Sequence, residues 1–149
     1  MEEVTLFACG DFWNDLKDLK GSLSKAFVDC PFTEEDFNKL SCVQKMDCVP
    51  LLNSISTAIK NKNGKLQELP NNKRNGQQPL LEKDFVLWKM RWAIDKRGPR
   101  AGLRIMYVVK GNIIVFSAMK RKKDIADDES GFQALTIERL KAFFAVNPL

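Results

Sequence analysis

Lysine and arginine crowd one stretch of this 149-residue chain. Residues 85–123, FVLWKMRWAIDKRGPRAGLRIMYVVKGNIIVFSAMKRKK, hold eleven of them against a single acid, Asp95. The stretch is net +10 in a chain of net +5, so the remainder sums to −5. That asymmetry points to a polyanion-facing sheet on an otherwise acidic body. Lys89 and Arg91 lie two residues apart, Arg104 follows in the next apolar segment, and Lys120-Arg121-Lys122-Lys123 closes the stretch. A closing run of this kind reads first as a solvated strand exit. Its position beside Lys89, Arg91 and Arg104 gives the alternative of a phosphate site.

The chain contains no histidine. This removes Ser-His-Asp and Cys-His catalysis and any mechanism built on a histidine pair. Acid–base chemistry is left to lysine, arginine, tyrosine and carboxylates. Cys9, Cys30, Cys42 and Cys48 form no Cys-x-x-Cys pair, so no zinc site is expected. In a reducing compartment they serve as small apolar side chains. Glu34, Glu35 and Asp36 are consecutive. Adjacent positions on a helix diverge, so they read as a solvated first turn rather than a metal cluster.

The elements that must position the basic residues follow from periodicity. Over 85–94, Val86, Trp88, Met90, Trp92 and Ile94 alternate with Phe85, Leu87, Lys89, Arg91 and Ala93. The first set reads as core, although tryptophans can also stack on bases. Over 102–110, Leu103, Ile105, Tyr107 and Val109 share one face and Arg104, Met106 and Val108 the other. Gly111-Asn112 suits a two-residue hairpin turn. The almost wholly apolar 113–119 suits a central strand covered on both sides. Lys89, Arg91 and Arg104 are therefore expected to line one exposed surface with Lys120 nearby, and Tyr107 to be structural.

Upstream, 4–9 reads as a short strand, and an amphipathic helix over about 11–28 carries Phe12, Trp13, Leu16, Leu19 and Leu23. Thr33 and Pro50 are helix-start signals, so 33–62 reads as a helical hairpin or one kinked helix. Asn, Gly and Pro make 63–84 a long irregular segment. After an acidic loop over 124–131, Thr136 is expected to cap a final helix. One α+β domain spanning 1–149 is expected, a small mostly antiparallel sheet packed against N-terminal helices and a C-terminal helix. The opening MEEVTLFACG does not resemble a secretory signal, and no apolar run approaches the ~18 residues of a membrane span. A cytoplasmic protein with no membrane partner is expected.

Within this order sit Leu87-Trp88-Lys89-Met90-Arg91-Trp92, Lys96-Arg97-Gly98, Gly102-Leu103-Arg104-Ile105-Met106-Tyr107 and Ile113-Ile114-Val115-Phe116 followed by Lys120. The pattern resembles the RelE/ParE toxin superfamily, above all its HigB-like branch. There a Lys-x-Arg strand, a Lys-Arg-Gly loop, a Gly-x-Arg-x-x-Tyr strand and an apolar strand ending near a lysine recur. The likeness covers about 85–123, extends more faintly over 4–28, and is nearly absent over 29–80. It implies a RelE-like fold and a type II toxin–antitoxin toxin, an mRNA interferase that cleaves mRNA on the ribosome without metal or cofactor. It also implies a cognate antitoxin partner.

By that resemblance Arg104 is the phosphate clamp, supported by Lys89 and Arg91, and Lys120 is the base, acid or electrostatic stabiliser. Lys96, Arg97, Arg100, Arg121, Lys122 and Lys123 would then hold RNA backbone. Two features depart from the family. Ala118-Met119-Lys120 stands where Tyr-x-Lys is usual, and the loop from Lys96 to Gly102 is longer than its relatives'. Two other readings follow: a RelE/ParE-fold protein without nuclease activity, either a gyrase inhibitor or a binding module, and a basic α+β protein whose charges form a solvated face.

Overall fold

The computed structural model describes residues 4–18, 33–62, 72–74, 85–92, 102–125 and 127–147. In chain order these form β1 (Thr5–Ala8), α1 (Gly10–Lys17), α2 (Glu34–Asn38), α3 (Cys42–Cys48), α4 (Pro50–Asn61) and β2 (Asn72–Arg74). They continue with β3 (Val86–Trp92), β4 (Leu103–Lys110), β5 (Ile113–Arg121), α5 (Lys122–Ile125) and α6 (Glu129–Val146).

The strands build a five-stranded mixed sheet in the order β1-β5-β4-β3-β2. The meander expected over β3, β4 and β5 is present and antiparallel. β1 lies parallel to β5, with Thr5 facing Ile113 and Ala8 facing Phe116. β2 is an added edge strand whose Lys73 pairs with Lys89. It interrupts what reads from the sequence as one irregular segment; the rest of 63–84 lies outside the described residues. Gly111 turns β4 into β5 with φ of 58°, a left-handed conformation that costs a side-chain-bearing residue free energy.

Each face of the sheet carries its own core. On one face Met90, Leu103, Ile105, Tyr107, Val109, Ile114, Phe116 and Met119 pack against Phe12 and Leu16 of α1, Phe37 of α2, Met46 of α3 and Leu52, Ile55 and Ile59 of α4. Trp88 and Trp92 are half-buried against this layer. On the other face Phe85, Leu87, Met106, Val108, Val115 and Ala118 pack against Ile125 and against Phe132, Leu140 and Phe144 of α6. The alternation expected in β3 and β4 holds at every one of these positions. Tyr107 is fully buried, and loss of water around its hydroxyl drives the phenol well above its ordinary range.

The helices differ from expectation in three places. Thr33 accepts from the Asp36 amide as a cap should, but 33–62 divides into three helices, not a hairpin or one kinked helix. The reason is local. Ser41 and Gln44 form a reciprocal capping box that starts α3, and Pro50 starts α4 at its first turn. Helix α1 ends within the described residues at Lys17, and the remainder of the predicted 11–28 helix lies beyond them. Helix α6 begins seven residues before the expected cap. Asp128 is its N-cap, accepting from the Gly131 amide, while Thr136 is buried inside the helix and donates to the Phe132 carbonyl.

Candidate phosphate-binding site

Register brings the basic residues together. Arg91 of β3 is the partner of Arg104 on β4, and Arg104 is the partner of Lys120 on β5. Three cations thus occupy one row across three strands, on the face that α6 covers elsewhere. Lys89 stands two residues along β3 on the same face.

The row depends on an irregularity. Tyr107 pairs with Phe116 but Met106 pairs with Ala118, so Ser117 is an extra residue on β5. Strict alternation from Ile114 and Phe116 would send Ala118 and Lys120 to the first core and Met119 to the basic face. The bulge reverses the parity. Met119 enters the first core, Ala118 the second, and Lys120 lands beside Arg104.

A buried polar network secures the bulge. The Arg139 guanidinium on α6 donates to both Asp15 carboxylate oxygens on α1, at 2.6 and 3.0 Å. Its Nη1 also donates to the Ser117 carbonyl at 3.1 Å. Asp15 accepts from the Met119 amide at 2.9 Å, and the Ser117 hydroxyl donates to the Thr136 carbonyl at 2.9 Å. β1 stops at Ala8, opposite Phe116, so these side chains take over where its pairing ends. Burial works against the Arg139 charge, but its hydrogen bonds to Asp15 and the charges of Asp15 and Asp11 outweigh it. They hold the guanidinium above its ordinary range.

Arg104 does not line an exposed surface, contrary to the sequence expectation: only 3% of it is accessible. Its Nη1 donates to the Leu103 carbonyl at 3.3 Å. Burial, and then repulsion from Arg91, lower its pKa, and Glu129 partly restores it. Lys89 is also largely covered, with 17% of its side chain accessible, and it pairs with Glu129 at 3.5 Å. Arg91 and Lys120 are half-buried. A buried guanidinium flanked by more accessible cations attracts anions strongly, because the low local dielectric weakens screening.

The sequence reading missed Glu129. It is the first residue of α6, and its two oxygens divide between two cations, Oε2 to Lys89 at 3.5 Å and Oε1 to Lys122 at 3.3 Å. Burial alone would raise its carboxyl, but attraction to Lys89 and the bond to Lys122 outweigh this and hold it below the ordinary carboxylate range. The available signal was an acid in the first turn of a helix that starts just past a basic run.

The remaining predicted residues separate. Arg121 is the partner of Leu103, so register sets it with the first core's face and apart from Lys120. Lys122 and Lys123 open α5, with Lys122 held by Glu129 and Lys123 exposed. Lys96, Arg97 and Arg100 lie outside the described residues. Among the described residues, no group of three or more His, Cys, Asp or Glu converges in a metal-binding arrangement, and no helix is long and apolar enough to cross a membrane. Comparison of the chain with protein-family models, curated proteins and solved structures finds no match.

Proposed function

We propose that this protein is a RelE-like, HigB-type toxin of a type II toxin–antitoxin system, a metal-independent endoribonuclease that cleaves mRNA on the ribosome in the cytoplasm. The observation that carries the reading is the cross-strand row Arg91–Arg104–Lys120 with Lys89 beside it. Attack of an RNA 2′-oxygen on its neighbouring phosphorus, its proton passing to water, forms a 2′,3′-cyclic phosphate and breaks the bond to the 5′-oxygen, through a phosphorane that carries extra negative charge. That charge is stabilised by preorganised cations in a partly dry site. Arg104 and Arg91 supply the fixed charge. In this reading Lys120, more accessible than Arg104, gives a proton to the leaving 5′-oxygen or stabilises its charge. The β-alternation, the closing helix and the motif positions all support the family resemblance, and a cognate antitoxin is the expected protein partner.

Inducible expression with and without the adjacent open reading frame, followed by transcript mapping, tests this. Growth arrest with cleaved transcripts, relieved by the neighbouring gene and abolished in Lys120→Ala, is the expected result. Intact transcripts during arrest would overturn the nuclease reading. A second reading, a RelE/ParE-fold protein that binds without cleaving, gains from two observations: the near-complete burial of Arg104 and the absence of a hydroxyl at Ala118. Supercoiling defects with intact transcripts would select its gyrase-inhibiting form. Tight binding to a partner without toxicity would select the interaction module.

A further inference from the structure

The basic row has a carboxylate already seated beside it. Glu129 presents two oxygens to two ammonium groups, each within 3.5 Å, as two non-bridging oxygens of a phosphodiester would. It stands at the amino end of an 18-residue helix, where backbone N–H groups favour an anion. Asp128 already caps that helix through Gly131, so Glu129 is not needed for capping. Its influence also reaches Arg104, whose charge it supports against the repulsion of Arg91. The pairing is open at Glu129 and Lys122, with 45% and 39% of their side chains accessible, while Lys89 is more covered at 17%. Ion pairs exposed to that degree are weak and exchange readily with competing anions.

We infer that Glu129 is an internal stand-in for RNA phosphate: it pairs with Lys89 and Lys122 in the free protein, and a bound phosphate displaces it. The inference rests on the reading of the row as an RNA site and adds the residue that sets its affinity. An RNA strand must break two ion pairs before it gains its own. The carboxylate therefore lowers affinity for anions in general. It favours a strand that delivers several phosphates at once over a lone anion, because only the strand recovers more contacts than it displaces. Removing the charge while keeping the shape frees both lysines.

The test is a fluorescence-anisotropy titration of a labelled single-stranded RNA oligonucleotide of mixed sequence. It is run against the full chain, Glu129→Gln and Lys120→Ala at several salt concentrations. Glu129→Gln is expected to bind about 3–10-fold tighter, the loss of two partly exposed ion pairs. Its salt dependence should steepen by up to about 1.4 in log–log slope, roughly 0.7 for each lysine released to the single strand. Lys120→Ala is expected to bind more weakly. If folded Glu129→Gln binds no tighter and with the same slope while Lys120→Ala still weakens binding, the inference fails and the RNA site stands. If neither the wild-type chain nor Glu129→Gln binds RNA, the RNA site itself fails and the inference goes with it. Circular dichroism establishes folding. Glu129→Ser, which keeps a helix-starting side chain, makes the same comparison should the glutamine variant not fold.

Discussion

Two carboxylate–cation constellations each take one member from α6 and behave differently for a geometric reason. Asp15 and Arg139 meet through two bonds of 2.6 and 3.0 Å, with 8% and 13% of their side chains accessible, and both also bind backbone groups of β5. Glu129 meets Lys89 and Lys122 through single contacts of 3.3–3.5 Å, and nearly half of its side chain faces solvent. The first pair is bidentate, dry and tied to the backbone, so it fixes structure. The second is monodentate to each partner and wet, so it can be exchanged. Charge pairing alone separates structural from functional groups poorly; burial and backbone attachment separate them well. The two are also coupled, because the Asp15–Arg139 pair holds the bulge that delivers Lys120 to the row beside which Glu129 sits.

The sharpest way to break the comparison is at Arg139. Arg139→Met leaves Asp15 buried without its counter-ion and should cost about 3–5 kcal/mol, measured by denaturant unfolding. Asp15→Asn combined with Arg139→Met should recover part of that loss. Equal losses in the single and double variants would show that shape, not charge, holds the bulge.

Next in size is Lys120→Ala, which, if the proposed nuclease reading holds, lowers RNA cleavage by about 100-fold, or roughly 2.7 kcal/mol of transition-state stabilisation, with little change in unfolding free energy. A matching fall in stability would place Lys120 with the structural constellation.

Gly111→Ala calibrates global destabilisation. Forcing a side chain into the left-handed turn should cost about 1 kcal/mol while leaving RNA affinity unchanged. Altered affinity would mean that any loss of stability loosens the site.

The smallest effect concerns pH. Glu129 is more acidic in the fold than in the unfolded chain. Its contribution to stability is therefore present above about pH 4.5, the ordinary glutamate range, and is lost as pH falls through its folded value. Unfolding of wild type and Glu129→Gln compared between pH 7 and pH 3 should converge at the acid end. A gap that persists at pH 3 would assign the difference to shape.

Much of the architecture was legible because it is repetitive. Alternation in Val86–Trp92 and Leu103–Lys110 assigns faces without knowledge of any partner, since successive side chains in a strand must point oppositely. Thr33, Pro50 and Gly111-Asn112 were legible because each relieves a local backbone problem with a local residue. Helix α6 was misread at its start. Asp124–Gly131 has the composition of a loop, and Thr136, a good cap in isolation, makes its bond within the helix instead.

By itself the sequence determined the basic members of the site and the shared face of three of them. It set a basic strand-rich segment, no histidine, and Lys89, Arg91 and Arg104 on one face. Tertiary structure alone decided three things. Lys120 joined that face only through the Ser117 bulge, supported by Asp15, 104 residues from the Met119 amide it binds, and by Arg139, 22 residues from Ser117. Arg104 became buried, because accessibility belongs to what packs around a residue and not to its type. Glu129 became the partner of Lys89, 40 residues distant, because α6 crosses the sheet and brings its first turn to the basic row. Alternation is a property of neighbouring bonds and can be read along the chain. A bulge, a burial and a long-range ion pair are properties of surfaces that meet only after the chain has folded.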